Sequence, residues 1–337
     1  MKLRVGLVGL GDAWQQTHAP ALRALADRFE VRAICEQVGH LAEQAAAEFS
    51  AAAVDGYRAL AQREDVDAVL VLSPQWFGAL PILAACEAGK AVYCAAGLDL
   101  DPETAETVKQ RVNQAGIALV AEFPRRHAPA TLRLKELIAT RLGPPRLLFC
   151  HRRCGAVPST SEDRCCGRSD PDTALRDLTE LVDWCRYVVG REATWVTGLM
   201  HPVEGTAAED YQMMSLGFSD PAQPGMGPVA QISCGRYIPA DWKEAIGYRP
   251  SAELQVSCPG GVAFVDLPAS LIWFDQAGRH QESLESERPV GEQLLAQFHH
   301  VATGGCCKTC GLEDAYRALT IVQQARRSYR DGCRIEL

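Results

Sequence analysis

The first 120 residues alternate between short runs of apolar residues and longer stretches in which apolar residues recur at helical spacing. The short runs predict buried strands at 5–8, 31–35, 67–72, 91–94 and 117–120. The stretches between them predict helices at 19–29, 41–49, 78–88 and 102–115. Strands that are apolar throughout lie in sheets covered on both faces, so this alternation predicts an α/β fold with a parallel, doubly wound sheet.

The pattern changes after Phe123-Pro124, where strand signals begin to follow one another. Helices are predicted at 129–140, 173–189 and 312–330, and a polar loop at 155–172. Strands are predicted at 146–151, 194–198, 211–218, 229–234, 252–257, 262–266 and 270–274. Successive strands without intervening helices indicate a large, mostly antiparallel open sheet. We therefore expect two domains, a doubly wound domain at 1–123 and an α+β domain at 124–337.

The first predicted strand leads into Gly9-Leu10-Gly11, and a helical stretch follows. Strand, glycine turn and helix open a dinucleotide-binding Rossmann unit, in which the helix directs its free N–H groups at the phosphates. Gly9 is expected to make the tight turn, and Gly11 to let a pyrophosphate approach the backbone. The third glycine of the pattern is replaced by Trp14, which could crowd or cover the cofactor.

The second predicted strand ends in Glu36, 25 residues after Gly11. A carboxylate at this tip binds both ribose hydroxyls and repels a 2′-phosphate, so the sequence favours NAD over NADP. The other expected cofactor-binding residues continue the turn or follow the strand at 67–72, and they are Asp12, Ala13, Ser73, Pro74 and Trp76. Trp76 is placed to flank the nicotinamide or the adenine, with core packing as the alternative.

Composition narrows the class of protein further. The 337 residues, 47% hydrophobic and 23% charged, suffice for two domains with full cores. A net charge of −8 argues against nucleic acid or an anionic membrane as a partner. No apolar run approaches the roughly 18 residues of a membrane span. These features predict a cytoplasmic protein.

Fourteen cysteines are many for a chain of this size. In a reducing compartment most are expected to be buried thiols, as the apolar segments around four of them indicate: Cys35, Cys86, Cys94 and Cys185. Two clusters do not fit this pattern, Cys165-Cys166 and Cys306-Cys307-x-x-Cys310. The second offers thiolates to a soft metal, but three local ligands are an incomplete set, so no metal is expected.

Short motifs along nearly the whole chain together resemble one family. They are Val8-Gly9-Leu10-Gly11, His18-Ala19-Pro20-Ala21-Leu22, Asp55-Gly56-Tyr57-Arg58-Ala59-Leu60, Val66-Asp67-Ala68-Val69, Ser73-Pro74, Ala88-Gly89-Lys90-Ala91-Val92, Arg125-Arg126-His127-Ala128-Pro129-Ala130, the helix 180–190, and Glu313-Asp314-Ala315-Tyr316-Arg317-Ala318-Leu319. The family is that of glucose-fructose oxidoreductase, inositol dehydrogenase and MocA (Gfo/Idh/MocA). The resemblance implies a Rossmann domain, a second domain whose open sheet often forms the oligomer interface, and sugar or cyclitol substrates. We therefore expect a homodimer or homotetramer formed through that sheet.

Two departures from the family's pattern concern its catalytic residues. After the fourth predicted strand the family usually carries Glu-Lys-Pro, whose lysine holds the substrate hydroxyl, and this chain has Ala95-Ala96-Gly97. On its catalytic helix the family carries Asp and, four residues later, His. The aligned positions hold Arg176 and Glu180, or Asp177 and Leu181 after a slip of one residue. In either alignment the usual lysine and histidine of the proton relay are missing.

Three residues remain as candidates for the acid–base work that hydride transfer requires. Glu180 is the preferred base, and its alternative role is that of a solvated carboxylate on an amphipathic helix. Asp177, on the same predicted helix, is a weaker candidate. His127, at the domain junction, could titrate near the cleft or serve a hinge or surface role.

These observations lead to one main hypothesis and two alternatives. The main hypothesis is an NAD(P)-dependent oxidoreductase that acts on a sugar, cyclitol or related carbonyl or hydroxyl compound with an altered acid–base set. The first alternative is a catalytically inactive nucleotide-binding regulatory or structural homologue. The second is a lyase or isomerase that uses tightly bound NAD.

Overall fold

The structure is a computed structural model, and it describes residues 2–11, 13–95, 98, 100–156, 173–202, 209–219, 225–239, 241–248, 252–284, 288–305 and 311–337. The chain divides into two units. The first unit comprises Met1–Pro124 and Glu287–Arg317, and the second comprises Arg125–Ser286 and Ala318–Leu337. In the described ranges, no helix is both long and apolar enough to cross a membrane.

The strands are, in chain order, β1 Leu3–Val8, β2 Phe29–Cys35, β3 Ala52–Ala53, β4 Ala68–Val71, β5 Ala91–Cys94, β6 Leu119–Ala121, β7 Leu147–Ala156, β8 Trp195–Pro202, β9 Glu209–Gly217, β10 Val229–Pro239, β11 Leu254–Cys258, β12 Gly261–Asp266, β13 Ser270–Asp275, β14 Gly278–Ser283 and β15 Ile335–Glu336. The helices are α1 Ala19–Ala24, α2 Gly39–Phe49, α3 Tyr57–Ala61, α4 Pro74–Phe77, α5 Leu80–Glu87, α6 Pro102–Ala115, α7 Pro124–His127, α8 Pro129–Leu137, α9 Thr173–Val189, α10 Lys243–Gly247, α11 Val290–Ala302 and α12 Leu312–Asp331. Two π-helical turns, Trp14–His18 and Ile138–Leu142, directly precede α1 and follow α8.

The sheet of the first unit confirms the predicted doubly wound fold. Over the described residues it has six strands in the order β3-β2-β1-β4-β5-β6, and each neighbouring pair is parallel. This order reverses between β1 and β4, which is where open α/β sheets bind their ligands, outside the carboxyl ends of the strands. The strand interiors are apolar because helices cover both faces, and β4 is buried along its whole length.

Local signals in the sequence set the ends of several helices. Asp101 accepts hydrogen bonds from the N–H groups of Glu103 and Thr104 and so caps α6, and Pro102 occupies the first turn. Gly116 ends that helix in the left-handed conformation. The helix predicted at 19–29 is wrong in its second half, because α1 ends at Ala24 and the chain turns before entering β2.

The structure differs from the predicted organisation in its last third. The sequence predicts one continuous second domain at 124–337, whereas 287–317 is part of the first unit. In this segment α11, which the sequence analysis missed, buries Phe298 against Phe29 and Tyr93, with ring centroids 6.5 Å and 5.5 Å apart. These aromatic contacts join distant parts of the sequence into one core, so the local pattern of the chain does not show them.

The second unit contains the predicted open sheet. Among the described residues it has nine strands in the order β14-β13-β12-β11-β7-β10-β9-β8-β15, and the β7–β10 pair is parallel while the other pairs are antiparallel. Side chains alternate between two faces, as strand geometry requires. One face packs on helices such as α9, and the other exposes apolar side chains that are considered below.

The cysteines expected to be buried thiols are confirmed as such. Cys35, Cys86, Cys94 and Cys185 are buried and unbridged. Burial raises the pKa of the Cys35 and Cys86 thiols, so they stay protonated at neutral pH. The clusters Cys165-Cys166 and Cys306-Cys307-x-x-Cys310 lie outside the described residues.

Candidate functional site

The glycine turn after β1 depends on both of its glycines. Gly9 and Gly11 have φ angles of +70° and +68°, a region that side chains other than glycine rarely adopt. A Cβ on Gly9 would come within 2.5 Å of Ser73 Cβ, and one on Gly11 within 2.5 Å of the Leu72 carbonyl oxygen. The glycines therefore let the turn lie directly on the end of β4, at the switch point of the sheet.

Glu36 lies at the tip of β2 against this turn. Its Oε2 accepts a hydrogen bond from the Leu10 N–H at 2.7 Å, and its Oε1 accepts one from the Gln37 N–H at 2.7 Å. These bonds orient the carboxylate beside the turn, where an acid can reach a ribose diol. The sequence from 36 to 41 carries no Arg or Lys that could pair with a 2′-phosphate.

The other predicted cofactor residues occupy the same edge of the sheet. Ala13 directly precedes the π-helical turn, and its carbonyl accepts hydrogen bonds from the N–H groups of Thr17 and His18. Ser73 is buried under Gly9, Pro74 begins α4, and Trp76 on α4 is 54% exposed. Asp12 lies outside the described residues. Contact of these residues with a cofactor stays a prediction.

Trp14 stands where the third glycine of the pattern is expected. Its side chain is buried and packs against Phe49 of α2, with the ring centroids 5.7 Å apart. A third glycine permits close packing of helix on strand. Here the chain forms a π-helical turn at this point, and the indole becomes part of the core beneath α2.

The residues present fit a dinucleotide. The turn has no side chain at either glycine, it precedes a helical segment, and a carboxylate at the β2 tip is ready to accept from ribose hydroxyls. The first unit therefore has the donor and acceptor set of a dinucleotide site.

In the second unit, five charged residues of distant segments meet. We call them the carboxylate–arginine cluster, and they are Arg125, Arg152, Asp177, Glu180 and Glu253. Arg125 on α7 is buried; its Nε donates to Glu180 Oε2 at 3.3 Å, and its other arm pairs with Glu253. Its guanidinium also lies over the Trp184 ring, 5.2 Å from the centroid.

Asp177 joins the cluster through β7. Arg152 pairs with Asp177 Oδ1 at 2.9 Å, and Cys234 Sγ lies 3.9 Å from Asp177 Oδ2. Arg152 shares a face of β7 with the buried Leu148 and Cys150, so the alternation of the strand directs it toward α9. Arg152 thus balances the charge of the buried Asp177, and removing this partner would leave a buried carboxylate unpaired.

Burial and charge shift the titration of two candidate residues in opposite senses. Burial raises the pKa of Glu180, while the charges of Arg125 and Arg152 oppose that rise. The pKa of His127 is lowered by burial and by the charge of Arg126, so its imidazole is neutral at pH 7. A carboxylate with a raised pKa, held by an arginine, has the properties of a proton acceptor.

Arg126 and Asp183, on the same two helices, form a structural pair instead. Arg126 Nε donates to Asp183 Oδ2 at 2.6 Å, and both residues are buried. Arg186 approaches the same carboxylate at 3.6 Å. This pairing ties α7 to α9 and so fixes the helix that carries Glu180.

A family model, GFO_IDH_MocA, described as an oxidoreductase family with an NAD-binding Rossmann fold, matches residues 3–123. An inositol 2-dehydrogenase of Cereibacter sphaeroides is 30% identical over 198 residues, which are 57% of this chain and 55% of that protein. The chain thus spans about half the length of this curated relative.

Residues 3–123 of the chain thus match the Gfo/Idh/MocA oxidoreductase family. Inositol 2-dehydrogenase 1 of Mycolicibacterium vanbaalenii is 26% identical over 275 residues, covering 80% of this chain and 73% of that protein. An oxidoreductase structure from Thermotoga maritima has a TM-score of 0.82 at 19% identity and covers 100% of this chain and 98% of its own. An aldose-aldose oxidoreductase from Caulobacter crescentus has a TM-score of 0.80 at 17% identity, with both chains fully covered. At such identities the two structures show the shared fold alone.

Ala96, which stands at the position of the family's motif lysine, lies outside the described residues, as does Gly97. The nearest lysine in the sequence does not take its place. Lys90 directly precedes β5, and its Nζ donates to the carbonyl oxygens of Arg63 and Val66, which precede β4. Lys90 therefore lies at the amino end of the parallel sheet, away from the carboxyl end that carries the glycine turn.

The sequence analysis missed part of the carboxylate–arginine cluster. It named Asp177 and Glu180, which the structure brings together with Arg125, but not Arg152 or Glu253. The sequence did carry a signal for Arg152. Side chains alternate along β7, so Arg152 falls on the same face as the buried Leu148 and Cys150, where a charged residue is unexpected. Glu253 precedes β11 in an ordinary loop, and nothing in its sequence context marks it.

Proposed function

We propose that this protein is an NAD-dependent oxidoreductase that interconverts a hydroxyl and a carbonyl group on a sugar or cyclitol. The observation that carries the proposal is the Glu36 carboxylate, held by the Leu10 N–H beside a turn that only glycine can form. This arrangement supports NAD as the cofactor, and the family supports redox chemistry. The names of its relatives support the substrate class, since several are inositol 2-dehydrogenases.

The proposed reaction removes a hydride and a proton from a carbinol and leaves a carbonyl. NAD, when bound, supplies the hydride acceptor. Glu180 takes the hydroxyl proton, and its raised pKa makes it a stronger base than an ordinary glutamate. Arg125 orients that carboxylate through the 3.3 Å contact and is itself held by Glu253. Asp177 holds Arg152 nearby, and His127 stays a weaker candidate for a titrating group.

The first experiment is a calorimetric titration of the cofactor-stripped protein with NAD, NADH and NADP. We expect tight binding of NAD or NADH and weak binding of NADP. A panel of cyclitols and aldoses, beginning with myo-inositol, is then screened for NADH formation. Binding of NAD without turnover of any polyol or keto-sugar would contradict the assigned reaction.

A second function is favoured by one observation, the sequence Ala95-Ala96-Gly97 in place of the motif that holds the substrate hydroxyl. It is that of a catalytically inactive, nucleotide-binding regulatory or structural protein. In that case NAD binds, no substrate is turned over, and Ala96→Lys changes NAD affinity little. Cofactor that copurifies in stoichiometric amount would instead favour a lyase or isomerase with recycled NAD.

We also propose that two or more copies associate through the exposed face of the second unit's sheet. Exposed apolar side chains on this face include Leu147, Phe149, Leu199 and Phe274, which are 45%, 42%, 51% and 39% exposed. Exposed apolar clusters of this kind are typical of protein interfaces. Light scattering after size exclusion should give a homodimer or homotetramer, and Phe149→Asp should shift it toward the monomer. The cytoplasmic location inferred from composition stays a prediction.

A further inference from the structure

A buried histidine–glutamate pair lies in the first unit, outside the residues assigned above. His18 is the last residue of the π-helical turn, and Glu122 directly follows β6; they are 2% and 8% exposed. His18 Nε2 lies 3.1 Å from Glu122 Oε2. Because an unpaired buried polar group is costly, each residue depends on the other.

The proton of this pair belongs on His18 Nε2. Within the described ranges, His18 Nδ1 is buried and has no hydrogen-bond partner. A protonated Nδ1 would be a buried donor without an acceptor, whereas a bare Nδ1 leaves only a lone pair unused. With its proton on Nε2, His18 donates to the Glu122 carboxylate.

Three contacts among the described residues help to hold the π-helical turn. Trp14 packs on α2, and Thr17 lies against Gly291 of α11, where a Cβ would come within 2.7 Å of Thr17 Cγ2. The third contact is the hydrogen bond between His18 and Glu122. The first two contacts are packing, and the third is directional. The pair therefore helps to set the path by which the chain leaves the glycine turn.

The other end of the pair stands at the carboxyl edge of the sheet. The Glu122 N–H donates to the Cys94 carbonyl at 2.9 Å, so Glu122 lies beside the end of β5. The next residue there, Ala95, has no side chain that could accept from His18. The Glu122 carboxylate that holds the turn thus lies at the end of β6, at the opposite side of the sheet from Glu36.

We propose that His18 and Glu122 are positioning residues for the dinucleotide. The pair ties the segment that follows Gly11 to the end of β6, and so keeps the backbone N–H groups of the turn in place for the pyrophosphate. The inference rests on the proposed NAD binding. Glu36 holds the turn from the β2 side of the switch point, and the His18–Glu122 pair holds it from the β6 side.

The test compares Glu122→Ala, Glu122→Gln and a matched control, Asp67→Asn. Asp67 pairs with Arg4 at 2.6 Å at the amino end of the same sheet, away from the turn. In calorimetry of the cofactor-free protein, Glu122→Ala should raise the Kd for NAD about tenfold, because binding must then order a turn that the pair no longer holds. Glu122→Gln keeps an acceptor oxygen and should stay closer to the wild type. A purely structural role would lower Tm in all three variants and leave every Kd unchanged, which overturns the inference.

A second measurement separates this inference from the proposed function. Hydrogen exchange of the cofactor-free protein is followed in peptides covering residues 9–18. We expect faster exchange there in Glu122→Ala and not in Asp67→Asn. If the wild type binds no dinucleotide, both the proposed function and the role of the pair toward the cofactor are wrong. The hydrogen-exchange rates of residues 9–18 then still show whether the pair holds the turn. Wild-type exchange in Glu122→Ala would refute the anchor even if NAD binds tightly.

Discussion

The glycine turn of the first unit and the carboxylate–arginine cluster of the second are built in different ways. Glu36 and Leu10, which meet at the turn, are 26 positions apart, whereas Arg125 meets partners 55 and 128 positions away. The turn is a local module whose glycines and acid act within one βαβ unit. The cluster exists only when helices and strands from across a unit have packed. A substitution in a distant segment should therefore disturb the cluster more readily than the turn.

The largest effect on turnover is expected from Glu180→Gln. This variant changes the carboxylate–arginine cluster and leaves the glycine turn intact. If Glu180 is the base, turnover should fall about 10²- to 10⁴-fold while the Kd for NAD stays unchanged. The matched control is Glu282→Gln, since Glu282 pairs with Arg133 elsewhere in the second unit at 2.9 Å. Equal turnover in both variants would remove Glu180 from the mechanism.

The pH profile sharpens the same assignment. Burial raises the pKa of Glu180, so its acid limb in kcat/KM should lie above the value of about 4.3 for an ordinary glutamate. Activity should fall as the pH drops through this raised pKa, because the base becomes protonated. Any residual activity of Glu180→Gln should lack this limb. A limb that persists in the variant would point to another group.

A smaller effect is expected from Gly11→Ala, which tests how closely the turn is packed. The φ of +68° and the 2.5 Å approach of a Cβ to the Leu72 oxygen should together cost about 2–3 kcal/mol of folding free energy. Gly78→Ala is the control, because Gly78 has φ +58° with nothing within 4 Å of its Cβ and should lose only about 1 kcal/mol. Calorimetric unfolding measures both. Equal losses would mean that the turn tolerates a side chain.

The smallest effect is expected from Glu36→Gln, which leaves a hydrogen-bond acceptor but no charge. The Kd for NAD should rise about tenfold, and the preference for NAD over NADP should shrink. Glu30→Gln is the control on the same strand, where Glu30 pairs with Arg32 at 3.0 Å on the surface. An unchanged ratio of the two affinities would show that another feature selects the cofactor.

Much of the first unit could be predicted because its defining features are local in the sequence. Strand, glycine turn and acid are local features, and Gly9, Gly11 and Glu36 lie where the pattern places them. The π-helical turn could not be read from spacing alone. It forms where Trp14 replaces a glycine, and the indole packs on a residue of α2 that is distant along the chain.

The second unit was predictable in its fold and less so in its site. Periodicity revealed α9 and the open sheet, and the cluster on α9 included the expected Asp177 and Glu180. Glu253 could not be found, because its role depends on a contact over 128 positions. Helix α11 did carry a signal, with apolar residues at helical spacing from Val290 to Phe298, but no local pattern tells which unit receives it.

The return of 287–317 to the first unit bears on how the protein is made. A ribosome releases residues 1–124 long before Phe298, yet Phe298 fills the core between Phe29 and Tyr93. The nascent nucleotide-binding unit must therefore wait, with an unfilled apolar site, while most of the second unit is synthesised. An expression clone that stops at residue 124 should yield an aggregation-prone product, whereas one in which 287–317 is fused back should not.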